Sequence, residues 1–232
     1  MTSSPTCDQE SETAMHIRHL QLAAPDLAAQ QQFYRDSLGF AAVAATPAAI
    51  TVQTGAALLT FTEAPDAAAG RYHLAFAIPA NQLDDAQRWL AARAPLLAAE
   101  DGASRFVFPD WDAESVYCYD PAGNIVEFIA RRRLADPSGA PFAAASVRGI
   151  SEIGLVADDV QQQAARLQAA LDLPIFDGAG SETFTALGDD HGLCIVVRRG
   201  RRWFPTPHEA LGHGPITLTV GRGGGERTIQ LA

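Results

Sequence analysis

Two stretches decide the fold: LAAPDLAAQQQFYRDSLGF at residues 22–40 and LVADDVQQQAARLQAALDL at residues 155–173. Each begins as the end of a strand and continues with apolar residues at helical spacing, and in the first copy Asp26 can cap the helix. Those residues are Leu27, Tyr34 and Leu38 in the first copy, and Val160, Ala164, Leu167 and Leu171 in the second. A strand–helix unit whose letters return marks an internal repeat, and repeats determine architecture before any single element does.

Working outward from the first copy, HIRHLQLA from His16 reads as a strand and Gly39 stops the helix. FAAVAA, AITVQTG and ALLTFTE then read as three strands, giving a βαβββ module. The pattern restarts with the strand RYHLAFAIP, a helix over Gln82–Ala92 with Leu83, Ala86 and Leu90 on one face, and the strands RFVFP, SVYCYD and NIVEFIA. From Gly149 a third module follows, with IFDG, ETFTALG and LCIVVRR as its strands. PITLTVG and RTIQLA, joined by a Gly-rich hairpin turn, supply a partial fourth. The expected fold class is α+β: tandem βαβββ modules, two of which close into a curved eight-stranded sheet around a cup, with a second, incomplete half. The expected division is a polar tail at 1–14, a complete two-module domain at 15–131 carrying the site, a linker at 132–148 rich in Arg, Pro, Ser and Gly, and the third and partial fourth modules at 149–232. An unfilled sheet edge makes a homodimer one expected way of completing the fourth module.

Composition narrows the function. Seventeen Lys and Arg against 27 Asp and Glu give a net charge of -10, which repels phosphate backbones and anionic headgroups, so neither nucleic acid nor membrane is an expected partner. The expected partner is a small-molecule substrate. The three cysteines, Cys7, Cys118 and Cys194, form no disulfide or zinc pattern, and the N-terminal sequence has no signal-like run, so a cytoplasmic location is expected. Serine-triad, Walker and dinucleotide motifs are absent.

Strand parity supplies the candidate site. Alternate residues of a strand share a face, so His19, Gln21 and Ala23 lie opposite Leu20 and Leu22, His73 opposite Leu74, and Glu127 opposite Val126 and Phe128. His19 and His73 are 54 residues apart, as are His73 and Glu127, so the three recur at one repeat interval. A lone strand histidine is more often hydrogen-bonded or exposed than metal-binding. Two at matching repeat positions with a carboxylate set among apolar residues make a 2-His-1-carboxylate triad, which leaves coordination positions open for substrate and O₂ or water. Glu152 stands in the third module where His19 stands in the first, and no GNxxE run follows it, so one metal site per chain is expected. RRGRRWFPTPHE at 198–209 reads either as a lid or as a solvated strand end with one buried Trp.

The runs IRHLQLAAPDLAAQQQFYRDSLGF, RYHLAFAIP and YDPAGNIVEF resemble the vicinal oxygen chelate superfamily, the glyoxalase, bleomycin-resistance and ring-cleaving dioxygenase group. The resemblance implies metal ligands at His19, His73 and Glu127. VYCYDPAGNIVE also resembles the extradiol dioxygenase run, implying that Tyr117 hydrogen-bonds a substrate oxygen. Gln21, Tyr119 and Trp203 are candidate substrate contacts. The acid/base histidine of that group has no counterpart in FVFPDWDAES, which leaves Asp110, Asp112, Glu114, His191, His208 or His213 to serve, and ALLTFTE lacks the internal glutamate of four-ligand lyases. The implied activity is an extradiol-type dioxygenase with Fe(II) acting on a catechol-like substrate. The alternatives are a lyase, isomerase or thiol transferase with Mn, Ni or Zn, or a metal-free binding or resistance protein.

Overall fold

The computed structural model describes residues 13–64, 71–178 and 180–231. The expected tail lies, through residue 12, outside the described residues, as does Cys7. The first module consists of β1 (His16–Ala24), α1 (Leu27–Gln31, prolonged by a π-helical turn Gln32–Ser37), β2 (Ala41–Thr46), β3 (Ala49–Thr54) and β4 (Ala57–Glu63). The second consists of β5 (His73–Ile78), α2 (Leu83–Ala91), β6 (Phe106–Phe108), β7 (Ala113–Tyr119) and β8 (Ile125–Arg131). The third has β9 (Gly149–Ala157), α3 (Val160–Leu171), β10 (Phe184–Asp189) and β11 (Gly192–Arg198), and the chain closes with the hairpin β12 (Ile216–Arg222) and β13 (Gly225–Leu231). Asp26 caps its helix as expected, and Asp159 caps the equivalent helix of the third module; they accept from the backbone N–H groups of Ala29 and Gln162 at 2.9 Å each. IFDG is no strand; only Ile175 forms an isolated bridge, to Leu187.

In each of the three modules the first strand pairs in parallel with the last: β1 with β4, β5 with β8, β9 with β11. The antiparallel neighbours decide which modules share a cup. β5 pairs with β9, and β1 pairs with β12 from His16–Gly221 to Leu22–Ile216. The second module therefore joins the third, and the first joins the terminal hairpin. The two halves meet at a seam where β1 and β9 share the single pair Ile17–Ile150. This corrects the expected grouping of residues 15–131 as one cup. The free edge of β1 is occupied by β12, so β5 is left to take β9, and the hairpin that reads as a partial fourth module docks on the first module.

One face of the sheet packs on the helices. Leu20, Leu22, Leu59, Phe61, Leu74, Phe76, Val126, Phe128, Ile153, Leu155 and Val196 alternate into a single buried core, together with Cys118 and Cys194, whose thiol pKa values burial pushes up. The DPAGN turn between β7 and β8 is a structural lock. Asp120 accepts from Gln30 Nε2 (2.8 Å), Tyr34 Oη (3.0 Å), and Asn124 N and Nδ2 (2.9 and 2.8 Å), while Asn124 Oδ1 accepts from Tyr72 N at 2.9 Å. The turn ties the start of β8 to β5 and α1, and so fixes where Glu127, three residues on, emerges. Among the described residues no helix is long and apolar enough to cross a membrane.

Candidate metal centre

Parity along the paired strands turns His73 of β5, Glu127 of β8 and Glu152 of β9 to the face away from the helices. Their ligating atoms lie within 4.8 Å of one another, and all three residues are buried. His73 Nε2 is 2.9 Å from Glu127 Oε2, Ser115 Oγ donates to Glu127 Oε1, and Arg131 Nη2 donates to Glu152 Oε1. Arg131 is itself buried, its guanidinium lying 5.5 Å from the Trp111 ring centre and 5.9 Å from that of Phe176. Ile125, Glu127, Ile129 and Arg131 thus run along one face of β8.

Burial dominates the electrostatics. It raises the Glu152 pKa to about 7, with the Glu127 charge adding to the rise and the charges of Arg131 and His73 opposing it. Burial by itself disfavours a charged His73, but the hydrogen bond and charge of Glu127 and the charge of Glu152 outweigh it, and the pKa rises. Tyr117, across the ladder from Glu127, is held protonated by burial and by the two carboxylates, so its hydroxyl is a donor.

Above these groups lies a cavity of about 410 Å³ walled by Phe108, Trp111, Tyr117, Phe184, Trp203 and Phe204. The Trp203 ring lies against His73 with centroids 5.3 Å apart, and Gly154 makes this approach possible. A Cβ at Gly154 would sit 2.5 Å from Trp203 Cη2 and 3.0 Å from His73 Cβ. Phe204 stands edge-on to Phe106 at 5.0 Å and is half exposed, forming the outer wall.

The donor set suits a divalent metal. Nitrogen and carboxylate ligands about 2.0–2.2 Å from an ion lie about 3–4.4 Å from each other, so small side-chain adjustments would bring these three to coordination distance. The His73 Nδ1 atom is buried without a hydrogen-bond partner, while Nε2 is the ring nitrogen turned to the carboxylates.

Of the sequence-derived candidates, His73, Glu127, Tyr117 and Trp203 come together here. His19 does not. Its Nε2 lies 2.8 Å from Thr60 Oγ1 on β4, and Thr60 in turn bonds Thr51. The register explains this: Thr60 faces Gln21 as Glu127 faces Ala75, and Thr217 faces Gln21 as Glu152 faces Ala75. The other cup therefore carries hydroxyls where this one carries carboxylates, and the expected 2-His-1-carboxylate triad is not assembled. Gln21 belongs to that other cup as well. Tyr119 lines a neighbouring cavity on the far side of Trp203, with its ring 6.0 Å from His208. Sequence reasoning passed over Glu152 as a ligand although it occupies the repeat position of His19, and it passed over Arg131 entirely.

The fold is of the vicinal oxygen chelate type. Residues 16–128 match the family described as Glyoxalase/Bleomycin resistance protein/Dioxygenase superfamily, so this stretch carries that family's domain. No curated protein matches the sequence. Among solved structures, a "putative dioxygenase" from Bacillus subtilis is similar at 15% identity and a TM-score of 0.60, covering 89% of this chain and 70% of its own. A glyoxalase I mutant from Zea mays is similar at 13% identity and a TM-score of 0.51, over 89% of this chain and 74% of its own. Lactoylglutathione lyase from Agrobacterium tumefaciens is 26% identical over 48% of this chain and 90% of its own, with a TM-score of 0.41.

Proposed function

We propose that the cup between the second and third modules is the active site of a divalent-metal enzyme that moves a proton on a small substrate bearing neighbouring oxygens, a lyase or isomerase. The observation that carries this reading is the pairing of one imidazole with two buried carboxylates, His73 with Glu127 and Glu152, in place of two imidazoles with one. The 2-His-1-carboxylate set is the one associated with Fe(II) and O₂ chemistry; an oxygen-richer set suits Mn, Zn or Ni acting as a Lewis acid. When bound, the metal would supply polarisation of a substrate carbonyl.

The chain's own residues supply the rest. His73 and Glu127 hold one side of the ion site, with Ser115 orienting the Glu127 carboxylate. Glu152 closes the other side from a different module, held by Arg131. The Tyr117 hydroxyl, kept protonated, donates to a substrate oxygen on which negative charge develops. Trp203 and Phe204 limit water above the substrate.

The reading is tested on metal-loaded protein by offering α-hydroxycarbonyl compounds and catechols. Exchange of solvent deuterium into the carbon beside the carbonyl, followed by NMR without O₂ uptake, is expected; substrate-dependent O₂ consumption would overturn it in favour of a dioxygenase. One observation favours a second reading, a metal-free small-molecule binder. Arg131 and a protonated His73 already match the charges of Glu152 and Glu127. A protein that takes up no divalent metal and binds an aromatic ligand in the cup would establish that reading.

A further inference from the structure

A second cavity, of about 330 Å³, opens at the seam where β1, β5, β8 and β9 meet. Its chemistry is opposite to that of the chain as a whole. In a protein of net charge -10, Arg18, Arg131, Arg148, His16 and His191 converge on it, and Asp136 is the one carboxylate among the lining residues. Asp136 is engaged by Arg148, whose Nε donates to Oδ2 at 3.1 Å. Arg131 is 2% exposed, yet its Nε and Nη1 have no hydrogen-bond partner, Nη1 being 3.7 Å from Asp190. Buried guanidinium N–H groups without an acceptor are costly, and an anion in the cavity supplies one. Gly221 makes room for Arg18, since a Cβ there would lie 2.8 Å from its Nε. The rings of His16 and His191 stand edge-on with centres 5.2 Å apart, and burial, followed by the neighbouring His191 and Arg18, lowers the His16 pKa. The remaining walls are apolar, formed by Ile17, Ala77, Ile78, Ile129, Leu134 and Ile150.

We propose that this seam cavity binds a small organic anion, with its carboxylate or phosphate head among Arg18, Arg131 and Arg148 and its apolar body against Ile129, Leu134 and Ile150. The site is distinct from the metal cup but adjoins it, because Ile129 lines both cavities and the Arg131 that faces the anion also holds Glu152.

Isothermal titration of the full chain tests this with benzoate and phenyl phosphate as anionic probes and benzyl alcohol as the neutral one. Saturable one-to-one binding of at least one anion, no binding of the alcohol, and a loss of at least about tenfold in affinity in both Arg18→Gln and Arg148→Gln are expected. Glu127→Gln, a change in the metal cup at a side chain that bonds His73 and Ser115 and does not line the seam cavity, is expected to leave the affinity within about twofold. The tighter of the two anions identifies the head group. The proposal is overturned by absence of saturable binding up to about 10 mM, by equal binding of benzyl alcohol, by unchanged affinity in the two folded arginine variants, or by loss of binding in Glu127→Gln. That last result would place the ligand in the metal cup.

Discussion

Glu152 answers to three groups at once: His73 and Glu127 share its cluster, and Arg131 clamps one of its oxygens. Its pKa of about 7, raised by burial, fixes a sign for the metal-free protein. A carboxyl whose folded pKa exceeds its unfolded value binds more protons when folded, so its contribution falls as pH rises from about 4.5 to about 7. The His73 pKa is raised too, and its contribution is lost as pH rises through the folded value. In chelator-treated protein, the stability of wild type relative to Glu152→Gln is therefore expected to decline across that window in urea titrations, and a pH-independent difference would refute the assignment. Gly154 gives a second residue-scale prediction. Alanine there must push Trp203 off His73, at a cost of about 1–3 kcal/mol, checked by denaturation together with a shift in tryptophan emission.

Among the elements, β5 does the most to position the site, because it carries His73, pairs with β8 and β9, and is tied to the first module through Tyr72. The Tyr72 hydroxyl donates to Pro215 O at 3.0 Å and accepts from Ala23 N at 3.1 Å. Tyr72→Phe leaves the buried Ala23 N–H without its acceptor and is expected to cost about 1–3 kcal/mol in urea unfolding. The elements themselves were legible in the sequence. Period-2 alternation located β5, β7 and β8, and helical spacing located α1 and α3. What alternation cannot specify is which free edge of a strand is taken. β1 and β9 present the same pattern to β5, so His19 and Glu152 were equivalent on paper, and β12 decided between them by occupying β1. Arg131 escaped notice because, at the end of a strand and leading an RRR run, it reads as a solvated cation, whereas the β8 parity that carries Glu127 also carries it inward.

At the scale of the molecule, the three modules and the terminal hairpin give two cups with different endowments: His73, Glu127 and Glu152 in one, and His19, Thr60 and Thr217 at the matching positions of the other. Among the described residues only the first has the carboxylates to hold a divalent cation, so metal is expected to stabilise the chain through that cup. At about 100 times the dissociation constant, the linkage amounts to about 2.7 kcal/mol, or a rise in Tm of about 5–10 °C. That rise is expected in wild type and absent in Glu127→Gln, read by calorimetry with Mn or Zn. The most direct test of the account is the metal content, by elemental analysis, of wild type, Glu152→Ala and His19→Ala after loading and desalting. Close to one divalent ion per chain in wild type and His19→Ala, and none in Glu152→Ala, is the predicted result. Metal retained by Glu152→Ala and lost from His19→Ala would contradict the pairing of the second module with the third as the source of the site.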